Sequence, residues 1–488
     1  MGSLTDSDKH FCRRHYLKTA FLLGALLISG GARPAFAEES FALVGGTLID
    51  GLGGTPVENA VVLVEGNKIT AVGSASLTNI PTSARLINVA GLTILPGLVD
   101  SHMHIGGSGA GSADPREFTA TAMENSLLSY LKFGVTSVYD MAAHPGLNDM
   151  KAALDAGDII GPRLYGNGFG ITAPGSHPIR LITELGLLDF LGPYYFQVDS
   201  VGDARKAVRQ IVKSKTDGIK IFHSRAESGT TRVDADRNKL QPDILKAVID
   251  AAHAQGQKVY AHISYPSEAK EFVEAGGNVV VHSIHMAETG ADEVLKLMAA
   301  RDVVYIPTLS VFEGNYIVNP DLFFMSRLRG KVWDVFLDSI TDEKSVVLSR
   351  QLIPGLGHDA KRSLDISMAN LRTAVKAGVK ITLGSDAGNA GMLHGATVMR
   401  ELQLMHQAGM TPMQIIVAAT KNGAEVIGQG KTLGTLEAGK LADIIVVKGN
   451  PLTDISDIGN VEWLVKNGKL LDPNKLQFKD VPVPTQSK

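Results

Sequence analysis

The stretch LPGLVDSHMH, Leu95 to His104, ends an apolar run on two histidines one residue apart. In extended chain, residues i and i+2 project to one face, so His102 and His104 present two imidazoles together. Solvated loop histidines can share that spacing, but two neutral imidazoles held side by side also make half of a metal site. Other apolar runs end the same way: Lys220 in DGIKIF, His262 in VYAHIS, His282 in VVVHSIH and Asp386 in ITLGSD. Singly, each has a plain structural reading, as a hydrogen-bonded core histidine or an aspartate capping a turn. Together they are imidazole and carboxylate donors suited to divalent ions, zinc foremost.

Lys220 requires separate treatment. Alternation in GIKIF turns Ile219 and Ile221 one way and Lys220 the other, toward a buried interior. An ammonium held among cations is costly, and burial favours the neutral amine. A neutral amine adds carbon dioxide to give a carbamate, an anion whose two oxygens can bridge two metals. The other reading is a lysine whose tip reaches solvent or meets a carboxylate.

The elements that must position these residues follow from periodicity. From Phe41 to about Val89 the chain reads as short strands with a bend at Gly66-Asn67, and after about Lys431 the same texture returns with a turn at Asn467-Gly468. Neither segment buries a core alone, so both ends are expected to meet in one small β-sandwich domain. Between them, strand candidates end near His102, Tyr139, Gly166, Phe222, His262, His282, Pro307 and Gly384, most separated by amphipathic stretches such as PDILKAVIDAAHAQG and GADEVLKLMAARD. Such β-then-α units predict an α/β fold, a (β/α)8 TIM-like barrel, with its site at the C-terminal strand ends. A doubly wound open sheet is the alternative, but no glycine-rich phosphate loop follows the first strand.

The resulting organisation is residues 1–37 as an export leader, 38–95 as the first part of the sandwich, 96–430 as the barrel, 431–472 as the second part and 473–488 as a tail. The leader has a basic start, a short apolar run and a small-x-small end at Ala35-Phe36-Ala37. Arg13-Arg14 followed by HYLK resembles a twin-arginine signal, which would carry a folded, cofactor-loaded protein to the periplasm or beyond. Removing the leader also removes Cys12, the single cysteine, and with it any thiolate ligand or cysteine nucleophile. The formal net charge of −3 and the lack of a later basic block give no footprint for nucleic acid or an anionic membrane. A small-molecule substrate, no stable membrane insertion of the mature chain and a homo-oligomeric state are expected.

The His-x-His pair, the strand-four lysine, single histidines after strands five and six and the aspartate after strand eight resemble the amidohydrolase superfamily. The segments AGMTPMQIIVAATKNGAEVIG and GTLEAGKLADIIVVKGNPL are similar to its imidazolonepropionase-like and prolidase-like branch. The resemblance implies two divalent ions: His102, His104 and Asp386 on one, His262 and His282 on the other, carboxylated Lys220 between them. It implies a metal-bridging hydroxide as nucleophile and Asp386 as general base, then acid. His285 rivals His282 but is better placed near substrate.

For recognition of substrate, His177 lies in a glycine-rich loop like that of the branch. Arg225 and His223 could meet a carboxylate, and His394 could line the mouth. Tyr139 stands where many relatives carry arginine. LGLLDFLGPYYF could form a pocket for a bulky side chain, and the long segment between Thr308 and Pro354 a lid or subunit contact. The expected reaction is hydrolysis of an amide bond in a dipeptide or N-acyl amino acid. A lactone, cyclic amide or phosphotriester would suit the same metals, and a non-catalytic binding protein is the alternative of another class.

Overall fold

The computed structural model describes residues 40–105, 119–142, 146–184, 186–225, 239–316, 328, 330–333, 337, 356–389 and 392–480. The expected export leader and most of the segment between Thr308 and Pro354 lie outside the described residues. The chain opens with β1 (Ser40–Leu48), β2 (Val57–Glu65), β3 (Lys68–Ser74), β4 (Arg85–Asn88) and β5 (Leu92–Pro96). Gly66 adopts φ +58°, turning β2 into antiparallel β3. β1 pairs with β2 along one side; along the other it changes partner, from β4 at Phe41–Val44 to β5 at Thr47–Leu48. Register shifts between Val44 and Leu48 accompany that change, as bulges do where a sheet bends.

The middle of the chain supplies β6 (Leu98–Met103), β7 (Val135–Asp140), β8 (Arg163–Gly166), β9 (Gly170–Thr172), β10 (Tyr195–Gln197), β11 (Ile219–Phe222), β12 (Val259–His262), β13 (Val279–Val281) and β14 (Val304–Ile306). β6, β7 and β8 pair in parallel, as do β11 to β14, with β9 and β10 extending the second set beside β11. Two seams close the barrel. At one, Asp217 N donates to Gly166 O at 2.8 Å and Asn167 bridges Gly218. At the other, the extended segment 380–387 fills the eighth position: Thr382 N donates to Tyr305 O at 3.0 Å and Ser101 N to Leu383 O at 2.9 Å. This segment is joined by isolated bridges rather than a regular ladder, and it runs past the Gly384 end expected from sequence to Ala387.

Helices pack outside these strands. Pro242–His253 begins with proline at its first turn, where the missing N–H costs nothing, and buries Ile244, Leu245, Val248 and Ile249 while Asp243, Lys246 and Asp250 face water. Each such buried side chain contributes roughly 1.5–3 kcal/mol. Among the described residues no helix is long and apolar enough to cross a membrane.

The chain then returns with β15 (Ile444–Lys448), β16 (Val461–Lys466) and β17 (Lys469–Leu471). β15 lies antiparallel to β5, with Ile445 opposite Leu95, so both chain ends share one eight-stranded sheet. Phe41, Leu43, Val62, Val64, Ile69, Ile94, Ile444 and Val446 form its core. The expected sandwich is therefore continuous in hydrogen bonding rather than two separate sheets. β5 runs through Gly97 directly into β6, which couples this domain to the strand bearing His102.

Closure at the second seam depends on a missing side chain. A Cβ at Gly384 would meet the Ile306 side chain and, at 2.8 Å, His102 Cβ. Gly384→Ala is expected to destabilise the protein by about 1–3 kcal/mol through overpacking, read as a lowered urea midpoint with an unchanged m-value.

Candidate metal centre

β6 ends by directing His102 inward, where it is fully buried, with His104 two residues on. Across the seam, Asp386 takes a left-handed backbone, φ +55°, and its N–H donates to His102 O at 2.8 Å. That conformation costs energy in a non-glycine residue and is held here by the barrel closure. His102 Nε2 and His104 Nε2 are 3.3 Å apart, and Asp386 Oδ1 lies 3.1 Å from the first and 3.0 Å from the second. Three electron-rich atoms thus converge, and a cation between them relieves their mutual repulsion.

The remaining strand-end residues adjoin this group. The His282 ring centroid lies 4.7 Å from that of His102 and 4.4 Å from that of His262, and His282 Nδ1 is 3.6 Å from Asp386 Oδ2. Lys220 is buried on β11 with Nζ 5.2 Å from the Phe222 ring centre, and among the described residues Nζ has no hydrogen-bond partner. Burial pushes its amine down to about 7, against the pull of Asp386. Burial likewise lowers His102 to about 3 and His282 well below the ordinary histidine range. At Asp386 burial acts the other way, but His102, His104 and His282 outweigh it and hold the carboxylate ionised. Neutral imidazoles, an ionised carboxylate and an amine able to lose its proton are the states that metal ligation requires. The donor set therefore fits divalent ions, and the orphaned Lys220 amine fits a carbamate better than a buried ammonium.

The other residues singled out from sequence divide into two groups. His177 stacks on His262 with centroids 4.4 Å apart, beside Phe222. His285 has its Nδ1 2.9 Å from Ser283 O and its ring against Phe312. His394 is buried, and its Nε2 lies 3.0 Å from His104 O, so it braces the backbone of that residue. His223 Nε2 bonds Glu271 Oε2 at 3.0 Å. Arg225 is held by Glu268 at 3.2 Å and Glu288 at 3.4 Å and stacks over Tyr265, so carboxylates of the protein already occupy the fork expected to meet substrate. Tyr139 is a core residue, its hydroxyl donating to Asn167 Oδ1 at 2.7 Å.

Sequence reasoning passed over two buried acids that support the centre. Asp100, two residues before His102, accepts the Ser385 N–H at 2.9 Å, the Ser385 hydroxyl at 2.5 Å and the His102 N–H at 3.3 Å. Asp140, at the end of β7, lies 3.9 Å from His104 Nδ1. The alternation D-S-H-M-H places Asp100 on the same face as the histidines, and that was the available signal.

With fold and site in place, the relatives of this chain become informative. The amidohydrolase family matches residues 93–471, and the chain belongs to that family. It is 28% identical over 462 residues to the ochratoxinase of Aspergillus niger, covering 87% of this chain and 85% of the relative. It is 26% identical to an imidazolonepropionase of Geobacillus sp. (strain WCH70), covering 85% and 90%. A solved Xaa-Pro dipeptidase with methionine in its active site superposes with a TM-score of 0.69 at 26% identity, covering 89% of this chain and all of the other. The protein is a hydrolase acting on carbon–nitrogen bonds, in a family that uses divalent metals.

The cluster around His223 makes a prediction for pH. Burial opposes ionisation of half-buried Glu271, but bonds from His223 and Lys239 outweigh it and set this carboxyl at about 2. A carboxyl lowered in the folded state stabilises it above the unfolded value near 4.5 and loses that contribution as pH falls through about 2. Glu271→Gln should therefore melt below wild type at pH 7, and the gap should narrow between pH 4.5 and pH 2 in paired thermal scans.

Proposed function

We propose that the protein is a two-metal amidohydrolase whose substrate is a dipeptide or an N-acyl amino acid, exported to act outside the cytoplasm. The observation that carries the reading is the buried Lys220 amine, without a hydrogen-bond partner among the described residues and near His102, His282 and Asp386 at the barrel strand ends. His102, His104 and Asp386 would hold one ion, His262 and His282 the other, with carboxylated Lys220 shared between them. Ions bound there supply an activated water as nucleophile and Lewis-acid polarisation of the scissile carbonyl.

The residues of the chain do the rest. Asp386 takes a proton from the attacking water at a carboxylate oxygen and passes it to the leaving nitrogen, so that acid and amine products balance. Its position at the closed seam holds it in place for both transfers. His177, whose stacking on His262 supports a role beside the centre, would hydrogen-bond the substrate. The likeness to a Xaa-Pro dipeptidase supports a dipeptide-sized substrate.

The test is hydrolysis by metal-supplemented protein, with bicarbonate, of dipeptides, N-acyl amino acids, lactones and phosphotriesters. Release of amino acids that disappears in Asp386→Asn, which keeps its metal, is the expected result; activity confined to lactones or phosphotriesters would replace the proposed bond. Lys220→Ala should lose metal and at least about 10²-fold in kcat/KM, with partial recovery on adding short carboxylic acids; full metal occupancy in that variant would remove the bridge. Chain sequencing of exported material should begin near Glu38.

A further inference from the structure

We infer that Glu401 is a positioning residue for the metal centre, holding the turn after β14 so that the Thr308 hydroxyl orients His282. The inference rests on the two-metal reading, in which His282 is a ligand.

Glu401 is fully buried on the helix Ala396–Gln407, which follows the eighth barrel segment. Its Oε1 accepts the Leu309 N–H at 2.8 Å and its Oε2 the Ser310 N–H at 2.7 Å. One carboxylate thus grips two successive peptides, and among the described residues it has no ion-pair partner. Burial pushes its carboxyl up to about 7 despite those bonds, so the fold retains an acid there against its solvation cost.

The gripped peptides immediately follow Thr308, whose φ is +46°. A β-branched residue strongly disfavours this left-handed backbone, so the surrounding contacts must impose it. In that conformation Thr308 Oγ1 lies 3.0 Å from His282 Nδ1, and His282 is itself left-handed at φ +67°. A bond at Nδ1 fixes the tautomer and ring orientation and leaves Nε2 available to a metal ion. The same turn reaches the other side of the centre, where the Ser310 hydroxyl donates to the carbonyl of Ser385 at 3.0 Å, the residue before Asp386. Glutamine at 401 would offer one accepting oxygen for two N–H groups, leaving one buried donor unpaired.

The test is zinc titration of the metal-stripped full chain against a competing chelator, with the visible spectrum of the cobalt-loaded protein as a second readout. Wild type should take up two equivalents. Glu401→Gln should weaken one of them about 10- to 100-fold and alter the cobalt bands. Thr308→Val should weaken the same equivalent, and Thr308→Ser, which keeps the hydroxyl, should restore it. Unchanged zinc affinity in folded Glu401→Gln would overturn the inference; if that variant does not fold, unchanged affinity in Thr308→Val would do so. A wild-type chain that takes up fewer than two equivalents would overturn the two-metal reading and this inference with it, a failure seen without any substitution.

Discussion

The hydrogen bond from Asp386 N to His102 O, 2.8 Å long, joins the last barrel segment to the first strand. It closes the barrel and at the same time brings a carboxylate to His102 of β6 and to His104 just beyond it. The meeting of His102, His104 and Asp386 is thus a consequence of fold closure. The requirement propagates outward: Gly384 must lack a side chain for the segment to fit beside His102 and Ile306, and His394 braces the carbonyl of His104 from behind. The terminal sheet contributes too, because β5 passes through one glycine into β6 and so fixes where the first histidine strand begins.

The electrostatics of this corner have a common sense. Asp100, Asp140 and Glu401 are buried, and burial raises Asp100 and Asp140 to about 6 and Glu401 to about 7. Burial also lowers the imidazoles of His102 and His282, which disfavours a compensating positive charge on them. Such an arrangement is poorly compensated by the polypeptide alone and is well compensated by divalent cations, often the largest charges in a site of this kind. Lys220 opposes that trend as an ammonium, and burial pushes its amine down to about 7.

The strand ends were legible in the sequence because two-residue alternation and the (β/α) repeat act locally: a histidine that ends an apolar run must face inward or outward, and the barrel puts inward residues at one mouth. The helices Pro242–His253 and Ala291–Ala300 were legible from their 3.6-residue apolar spacing. What local pattern could not reveal was which distant groups would approach. Arg225 and His223 read as substrate contacts because they follow Lys220, yet Glu268 and Glu271 reach them from a helix more than forty residues further on. Nothing local in VMRELQL marks Glu401 for burial, which depends on the turn after β14 lying beneath that helix. The eighth strand was placed correctly in order but not in form, since the left-handed backbone at Asp386 has no signature in residue type.

These constraints separate what is fixed in this enzyme from what can vary. Asp386 brings its carboxylate to His102 and His104 and joins the barrel seam through one backbone position, so its displacement would open the seam as well as the cluster. Thr308 and His282 are similarly tied, through strained backbone that neighbouring bonds must hold. Adaptation to a different substrate has little room among these residues. It has more at His177, which lies against His262, and at Tyr195, which meets Phe222 edge to face, because the excursion through β9 and β10 carries His177 and Tyr195 outside the strands that close the barrel.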